Sequence, residues 1–238
     1  ASVEDATATA DLVVSAVTAA QDVAAARSVV SHLKRNAYFL DVNSVSPGVK
    51  VEVSQIVEAA GGRYVESAIM SPINPQRAAA PMLFGGPHAA EFLPIARQLG
   101  FAGASVFSDR IGSASAAKMC RSVIVKGMEA LLGESLLAAR RYGVESAVLE
   151  SLDSLLSCDD WRSQARYMIS RSLIHGRRRA EEMREVARTV GEAGFEPRMS
   201  SACAVWQDWA SVHRAAAAHE DLDDMLDSMM AGRSRGGV

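Results

Sequence analysis

The first place in this sequence where chemistry could occur is a set of four polar side chains within a run of small and apolar residues. Ser115, Lys118, Ser122 and Lys126 stand at i, i+3, i+7 and i+11, so on a helix they form one stripe, while Met119, Val123, Ile124, Met128 and Leu131 lie elsewhere. A lysine on a mostly buried helix loses hydration, which lowers its pKa and equips it to donate or accept a proton near neutral pH. The same lysine can instead pack its stem and lift its ammonium into water, and residue type alone leaves both readings open. His175 precedes Arg177, Arg178 and Arg179, a run that reads either as a solvated helix face or as a site for a phosphate or carboxylate. His32, His88, His213 and His219 have no carboxylate or cysteine at ligand spacing. No metal site is expected.

The elements that must position these residues divide at about residue 108. Before it, short β-like runs at 11–16, 38–42, 64–69, 82–85 and 104–107 alternate with helical patterns at 21–33, 46–60 and 87–99, the signature of βα units on a parallel sheet. Between 71 and 81, three prolines mark a loop. From Gly112 onward only helix-period segments remain, at 113–141, 144–157, 160–174, 177–193, 200–217 and 220–230. Their breaks are expected at Gly143, at Cys158 to Asp160, at Gly176, at Gly194 to Pro197 and at His219. The tail 232–238 is Gly/Arg rich and expected to be disordered. The fold class is thus α/β followed by all-α, with domains at 1–108 and 109–238.

Composition narrows the function classes. With 238 residues, 49% hydrophobic and 5% aromatic, the chain can build two modest aliphatic cores. A formal net charge of -3 gives no footprint for nucleic acid or an acidic membrane, and no apolar run is long enough to span a bilayer. Cys120, Cys158 and Cys203 are an odd, widely spaced set, so no disulfide framework or zinc site is expected and the compartment reads as the reducing cytoplasm. No G-x-G-x-x-G occurs, and the chain opens with what reads as the tail of a helix. A dinucleotide site within these residues is therefore expected to be incomplete, as if a leading βαβ unit were absent.

The segment Gly112-Ser-Ala-Ser-Ala-Ala-Lys118 resembles the G-x-G-x-x-x-K segment of the β-hydroxyacid dehydrogenases, the family of 3-hydroxyisobutyrate and 6-phosphogluconate dehydrogenases. DLVVSAV, DVNSVSPG, YVESAIMSP and PMLFGG occur in that family's order, so the resemblance covers nearly the whole chain, and HGRRRAEEMREVARTVGEAGFEP resembles a branch whose helical domain has no assigned function. It implies a partial Rossmann-like parallel sheet followed by a 6-phosphogluconate dehydrogenase-like helical domain, NADP or NAD as cofactor, and a homodimer. It assigns Lys118 as the catalytic acid/base. Ser122 replaces the family's substrate-binding asparagine, Gly112 keeps its first glycine, and Ala114 replaces the second.

Asn43 and Ser44 match the Ser/Thr pair beside the nicotinamide; their plainer role is to cap the helix at Ser46, worth about 1 kcal/mol. Val17 and Thr18 fall where the family's backbone passes the adenosine ribose, and His175 falls where a lysine reaches the cofactor edge. Met70, Ser71 and Pro72 replace the Ser-Gly-Gly that cradles the substrate carboxylate. Proline has no N–H, so a bulkier or less anionic substrate is expected. The resemblance implies hydride transfer between a nicotinamide cofactor and a short 3-hydroxyacid or its semialdehyde. The alternatives are a catalytically incomplete helical dimerisation module, or an imine reductase, against which Lys118 argues because those enzymes carry Asp or Tyr there.

Overall fold

The computed structural model describes residues 2–153 and 160–232, so the expected cap at Cys158 and Asp159 and the tail at 233–238 lie outside the described residues. Five strands form one sheet in the order of the chain: β1 (Leu12–Ser15), β2 (Tyr38–Asp41), β3 (Arg63–Ile69), β4 (Met82–Gly85) and β5 (Ala104–Ser108). Three helices connect them, α2 (Asp22–Val30), α3 (Pro47–Ala59) and α4 (Ala89–Gln98), after a short α1 (Val3–Thr7). The sheet is not wholly parallel. β1, β2 and β3 run parallel, β4 returns antiparallel to β3, and β5 runs parallel to β4. The reason is legible in the linkers: a helix carries the chain over before β2, β3 and β5, whereas the proline-rich link before β4 forms only the 3₁₀ turn Arg77–Ala79. A connection without a crossover helix favours antiparallel neighbours.

Side-chain alternation gives the sheet two covered faces. Tyr38, Leu40, Val65, Met82 and Phe84 pack with Phe92 and Ala96 of α4. Phe39 and Tyr64 pack on the other face with Ala26 of α2 and with Val53 and Val57 of α3. Asp41 and Glu66 follow Phe39 and Tyr64 by two residues, so they turn toward the α2/α3 side, and both are fully buried there. This strand-end row, with Ser15 paired to Asp41 and Asp41 to Glu66, is where the sheet meets polar chemistry.

After β5 come α5 (Ser113–Tyr142), α6 (Glu145–Asp153), α7 (Trp161–Glu192), α8 (Arg198–Val212) and α9 (Leu222–Gly232). Gly176 does not break α7. A Cβ there would press against the backbone oxygen of Gln207 and lie 2.8 Å from the Ser211 Cβ, so this glycine lets α7 and α8 approach closely. The core of this part joins Leu132 and Leu136 of α5, Ile169 and Leu173 of α7 and Leu222, Met225 and Leu226 of α9. Asp160 caps α7 by accepting from Ser163 N at 3.0 Å. Among the described residues no helix is long and apolar enough to cross a membrane.

The chain forms two compact units, residues 1–121 with 185–197, and residues 122–184 with 198–238. The first two turns of α5 and the last two of α7 thus belong with the sheet, and the division differs from a boundary at 108. Polar contacts within the sheet unit account for it: Glu66 grips the start of α5, and Glu185 and Glu192 grip the start of α3.

Candidate active site

Lys118 lies one turn beyond Ser115 on α5 and is half-buried. Its Nζ donates to Ser44 Oγ at 2.6 Å, and Ser44 sits in the turn that follows β2. Lys118 is thereby aimed at the carboxyl ends of the parallel strands, where open α/β sheets place their ligands.

The turn 43–46 is held at every residue. Asn43 accepts from Val17 N at 2.6 Å and donates to Ser15 Oγ at 2.8 Å and to Asp22 Oδ1 at 2.7 Å, while its own N–H donates to Asp41 Oδ1 at 3.0 Å. The Asn43 side chain is therefore occupied inside the fold. Val45 O accepts from the Ser115 hydroxyl. Ser46, not Asn43 or Ser44, caps α3 by accepting from Val49 N.

Beneath the turn lies a buried ionic cluster that the sequence reading did not single out. Lys50, 1% exposed, places its Nζ 2.8 Å from Asp41 Oδ1, and the Tyr64 hydroxyl donates to Asp41 Oδ2 at 2.8 Å. Burial and the neighbouring Asp41 push the Asp22 carboxyl up to about 7, with Lys50 and Asn43 opposing. Asp22 Oδ2 is buried without a hydrogen-bond partner. Burial, then Asp41, push the Tyr64 phenol well above its ordinary range.

Glu66 serves the other helix. Its carboxylate accepts from Gly112 N at 2.7 Å and Ser115 N at 2.6 Å, filling the N-terminus of α5 as an internal anion. Burial raises its pKa, and the two amides and Lys50 oppose the shift. Gly85 makes room, since a Cβ there would fall 2.5 Å from Glu66 Oε2. These residues had a signal: Asp41 and Glu66 interrupt apolar strands, and Lys50 stands three residues before Val53 on the buried side of α3.

The structure groups Lys118, Ser44, Asn43 and Val17, with Gly112 next to Ser115 and its N–H given to Glu66. Val17 and Thr18 are exposed beyond the end of β1. Met70 N donates to Pro81 O at 2.9 Å, and the Ser71 hydroxyl reaches Pro72 O and Gln76.

Ser122 and His175 belong to the helical unit. There Ser122 is buried, Lys126 pairs with Glu182 at 2.5 Å, and Glu129 pairs with Arg179, which carries the stripe of α5 two turns past Ser122. Burial lowers the pKa of Lys126. The run after His175 is not one solvated face: Arg177 and Arg178 are exposed, whereas Arg179 is 3% exposed. Burial, then Arg178, Arg171 and Arg214, lowers the exposed His175.

Residues 139–210 match a domain of unknown function, DUF1932. A conserved hypothetical protein from Sinorhizobium meliloti is 33% identical with a TM-score of 0.76, covering 97% of this chain and 77% of that one. The conserved protein MTH1747, of unknown function and described as structurally similar to 3-hydroxyacid dehydrogenases, is 34% identical with a TM-score of 0.70, covering 90% and 80%. At 17% identity the fold is shared with the 3-hydroxyisobutyrate dehydrogenase of Mycobacterium tuberculosis, at a TM-score of 0.67 over 95% and 81%. It is also shared, at 16% identity, with Psf3 in complex with NADP+ and with an imine reductase from Myxococcus stipitatus in complex with NAD+, at TM-scores of 0.62 and 0.55 and over 95% and 97% of this chain and 83% of each of theirs. The chain belongs to the same family as the Sinorhizobium meliloti protein and MTH1747, and it has the fold of the 3-hydroxyacid dehydrogenases with a helical domain of unknown function.

Proposed function

We propose that this chain is an NAD(P)-dependent oxidoreductase acting on a short 3-hydroxyacid or its semialdehyde, with Lys118 as general acid/base. The observation that carries the reading is the Lys118 Nζ to Ser44 Oγ hydrogen bond of 2.6 Å, which sets a proton donor at the carboxyl ends of β1 to β3. The exposed Val17 and Thr18 and the half-buried Ser44 hydroxyl supply the apolar contact and the hydroxyl that a nicotinamide riboside requires, and Asn43 ties the segments after β1 and β2 together. This donor set fits the nicotinamide half of NADP or NAD; the 238 residues contain no glycine-rich loop for the pyrophosphate. Bound there, the cofactor supplies the hydride acceptor or donor. Lys118, as the neutral amine, takes the proton of the substrate hydroxyl, and as the ammonium returns it to the carbonyl oxygen. Ser44 and the network beneath it hold the amine in place.

A second reading has its own observation. The amides that could seat a substrate carboxylate are spent internally, Gly112 and Ser115 on Glu66 and Met70 on Pro81, and Pro72 has none. This favours a neutral carbonyl or imine over an acid. Nicotinamide absorbance with a panel of short 3-hydroxyacids plus NADP+ or NAD+, set against neutral carbonyls and cyclic imines plus NADPH, separates the two. Turnover of the acids, reduced at least 100-fold by Lys118→Ala, supports the first reading; turnover confined to the neutral compounds replaces it with the second. A homodimer is part of the proposal, supported by exposed Ile124, Leu131 and Tyr142 on α5 and Val205 and Val212 on α8, and sedimentation equilibrium tests it.

A further inference from the structure

Within the sheet unit, the start of α3 is gripped by two carboxylates far away in sequence. Glu185 Oε2 accepts from Ser46 N at 3.0 Å, Glu192 Oε1 accepts from the Ser46 hydroxyl at 2.9 Å, and Glu192 Oε2 accepts from Gly48 N at 3.1 Å. Glu185 and Glu192 are two turns apart on one face of α7. Ser46 is the N-cap of α3, but its own bond to Val49 N is long, at 3.4 Å. Glu192 therefore completes the cap as an anion against the positive end of the helix. Gly48 is matched to it, because a Cβ there would lie 2.5 Å from Glu192 Oε1 and 3.1 Å from its carboxyl carbon. The residue two positions before Ser46 is Ser44, the acceptor of Lys118. Asn43 is fixed from β1 and α2 and Val45 from α5; Ser46, beyond its own bond to Val49, is held by the two carboxylates of α7.

We propose that Glu192, assisted by Glu185, is a positioning residue for the Lys118–Ser44 pair, acting through Ser46 and the first turn of α3. This rests on the reading of Lys118 as the acid/base. α7 then contributes to the reaction through its last two turns, which belong to the sheet unit, by holding the turn that holds the lysine. Loosening that turn lets Ser44 drift, and a misplacement of about 1 Å at a reacting group costs about 100-fold in rate.

The test uses the full chain with the substrate pair that turns over best in the panel above. Glu192→Ala is expected to lower kcat about 10- to 100-fold with KM for the cofactor within about twofold, and Glu192→Gln, which keeps one acceptor oxygen, to lose less. Gly48→Ala reaches the same contact from the other side and is expected to lower kcat similarly. The double variant Gly48→Ala/Glu192→Ala is expected to match Glu192→Ala, because the added methyl then has nothing to displace. Glu192→Ala and Gly48→Ala within twofold of the unaltered chain, while Lys118→Ala is inactive, would overturn the inference and leave the reading of the site intact.

A readout independent of turnover separates the two failures. The chain has four lysines, so ¹³C-labelled lysine gives four ε-methylene signals, with Lys118 assigned by Lys118→Arg. Glu192→Ala is expected to move the Lys118 signal and its titration midpoint and leave Lys34 in place. An unmoved Lys118 signal contradicts the inference whatever the activity.

Discussion

Replacing Lys50 with methionine keeps most of the volume of its buried stem and deletes its ammonium. Asp41 then keeps the Tyr64 hydroxyl at 2.8 Å and Asn43 N at 3.0 Å but loses the cation at 2.8 Å. Breaking a buried pair from one side costs about 3–5 kcal/mol because it strands the other charge. The two remaining donors put this case near the lower end, about 3 kcal/mol, a large part of the total stability of about 5–15 kcal/mol. At a urea m-value of about 2–3 kcal/mol/M the midpoint falls by about 1–1.5 M. The double variant Asp41→Asn/Lys50→Met removes both charges and leaves an acceptor for Tyr64, so it is expected to recover most of the loss. Far-UV circular dichroism is the signal to follow, since Trp161, Trp206 and Trp209 all lie in the helical unit and fluorescence would miss this site. A single variant within about 0.3 M of the unaltered midpoint, or a double variant as weak as the single, would refute the reasoning.

Two further outcomes follow from the packing and the charges. Asp22 has a folded-state pKa raised from 3.8 to about 7, so the fold holds this proton more tightly than the unfolded chain, and its contribution is complete below about pH 4 and is lost as pH rises toward 7. At about 1.4 kcal/mol per pH unit that is a few kcal/mol, and Asp22→Asn is expected to flatten this part of the stability–pH curve measured by urea titration. Gly176→Ala is expected to destabilise the helical unit by about 1–3 kcal/mol and lower its melting temperature by several degrees, despite the better helix propensity of alanine, because Gln207 and Ser211 already occupy the space; a rise in melting temperature contradicts the close-approach account.

Periodicity made most of the fold legible. Strands at 82–85 and 104–108 and helices at 47–59 and 113–142 fall within one or two residues of the patterns, because each buries one well-defined face. The reversal at β4 was visible only as an absence, the lack of a helical pattern between 70 and 81. Gly176 misled because a glycine that opens space for a neighbouring helix has the same letter as one that ends a helix, and only the tertiary contact tells them apart. At the site, the polar stripe on α5 showed Lys118 and the order of motifs set Ser44 at the cofactor, but the bond between the two was not legible in either. Asn43 was assigned to the cofactor from its motif, whereas its side chain is bound to Ser15, Val17 and Asp22, partners 21 to 28 residues away. Glu185 and Glu192 were hidden altogether, since charges on a polar helix carry no mark of the distant serine they hold.

The central claim is that Lys118 moves the proton in hydride transfer. It is tested most directly by the pH dependence of kcat for the unaltered chain, Lys118→Ala and Lys118→Arg with the best hydroxyacid of the panel, alongside cofactor affinity by fluorescence titration. The account predicts a rate that follows one ionisation in the unaltered chain, a loss of at least 100-fold in both variants, and unchanged cofactor affinity. A Lys118→Ala variant that keeps its rate and the same pH profile would contradict it.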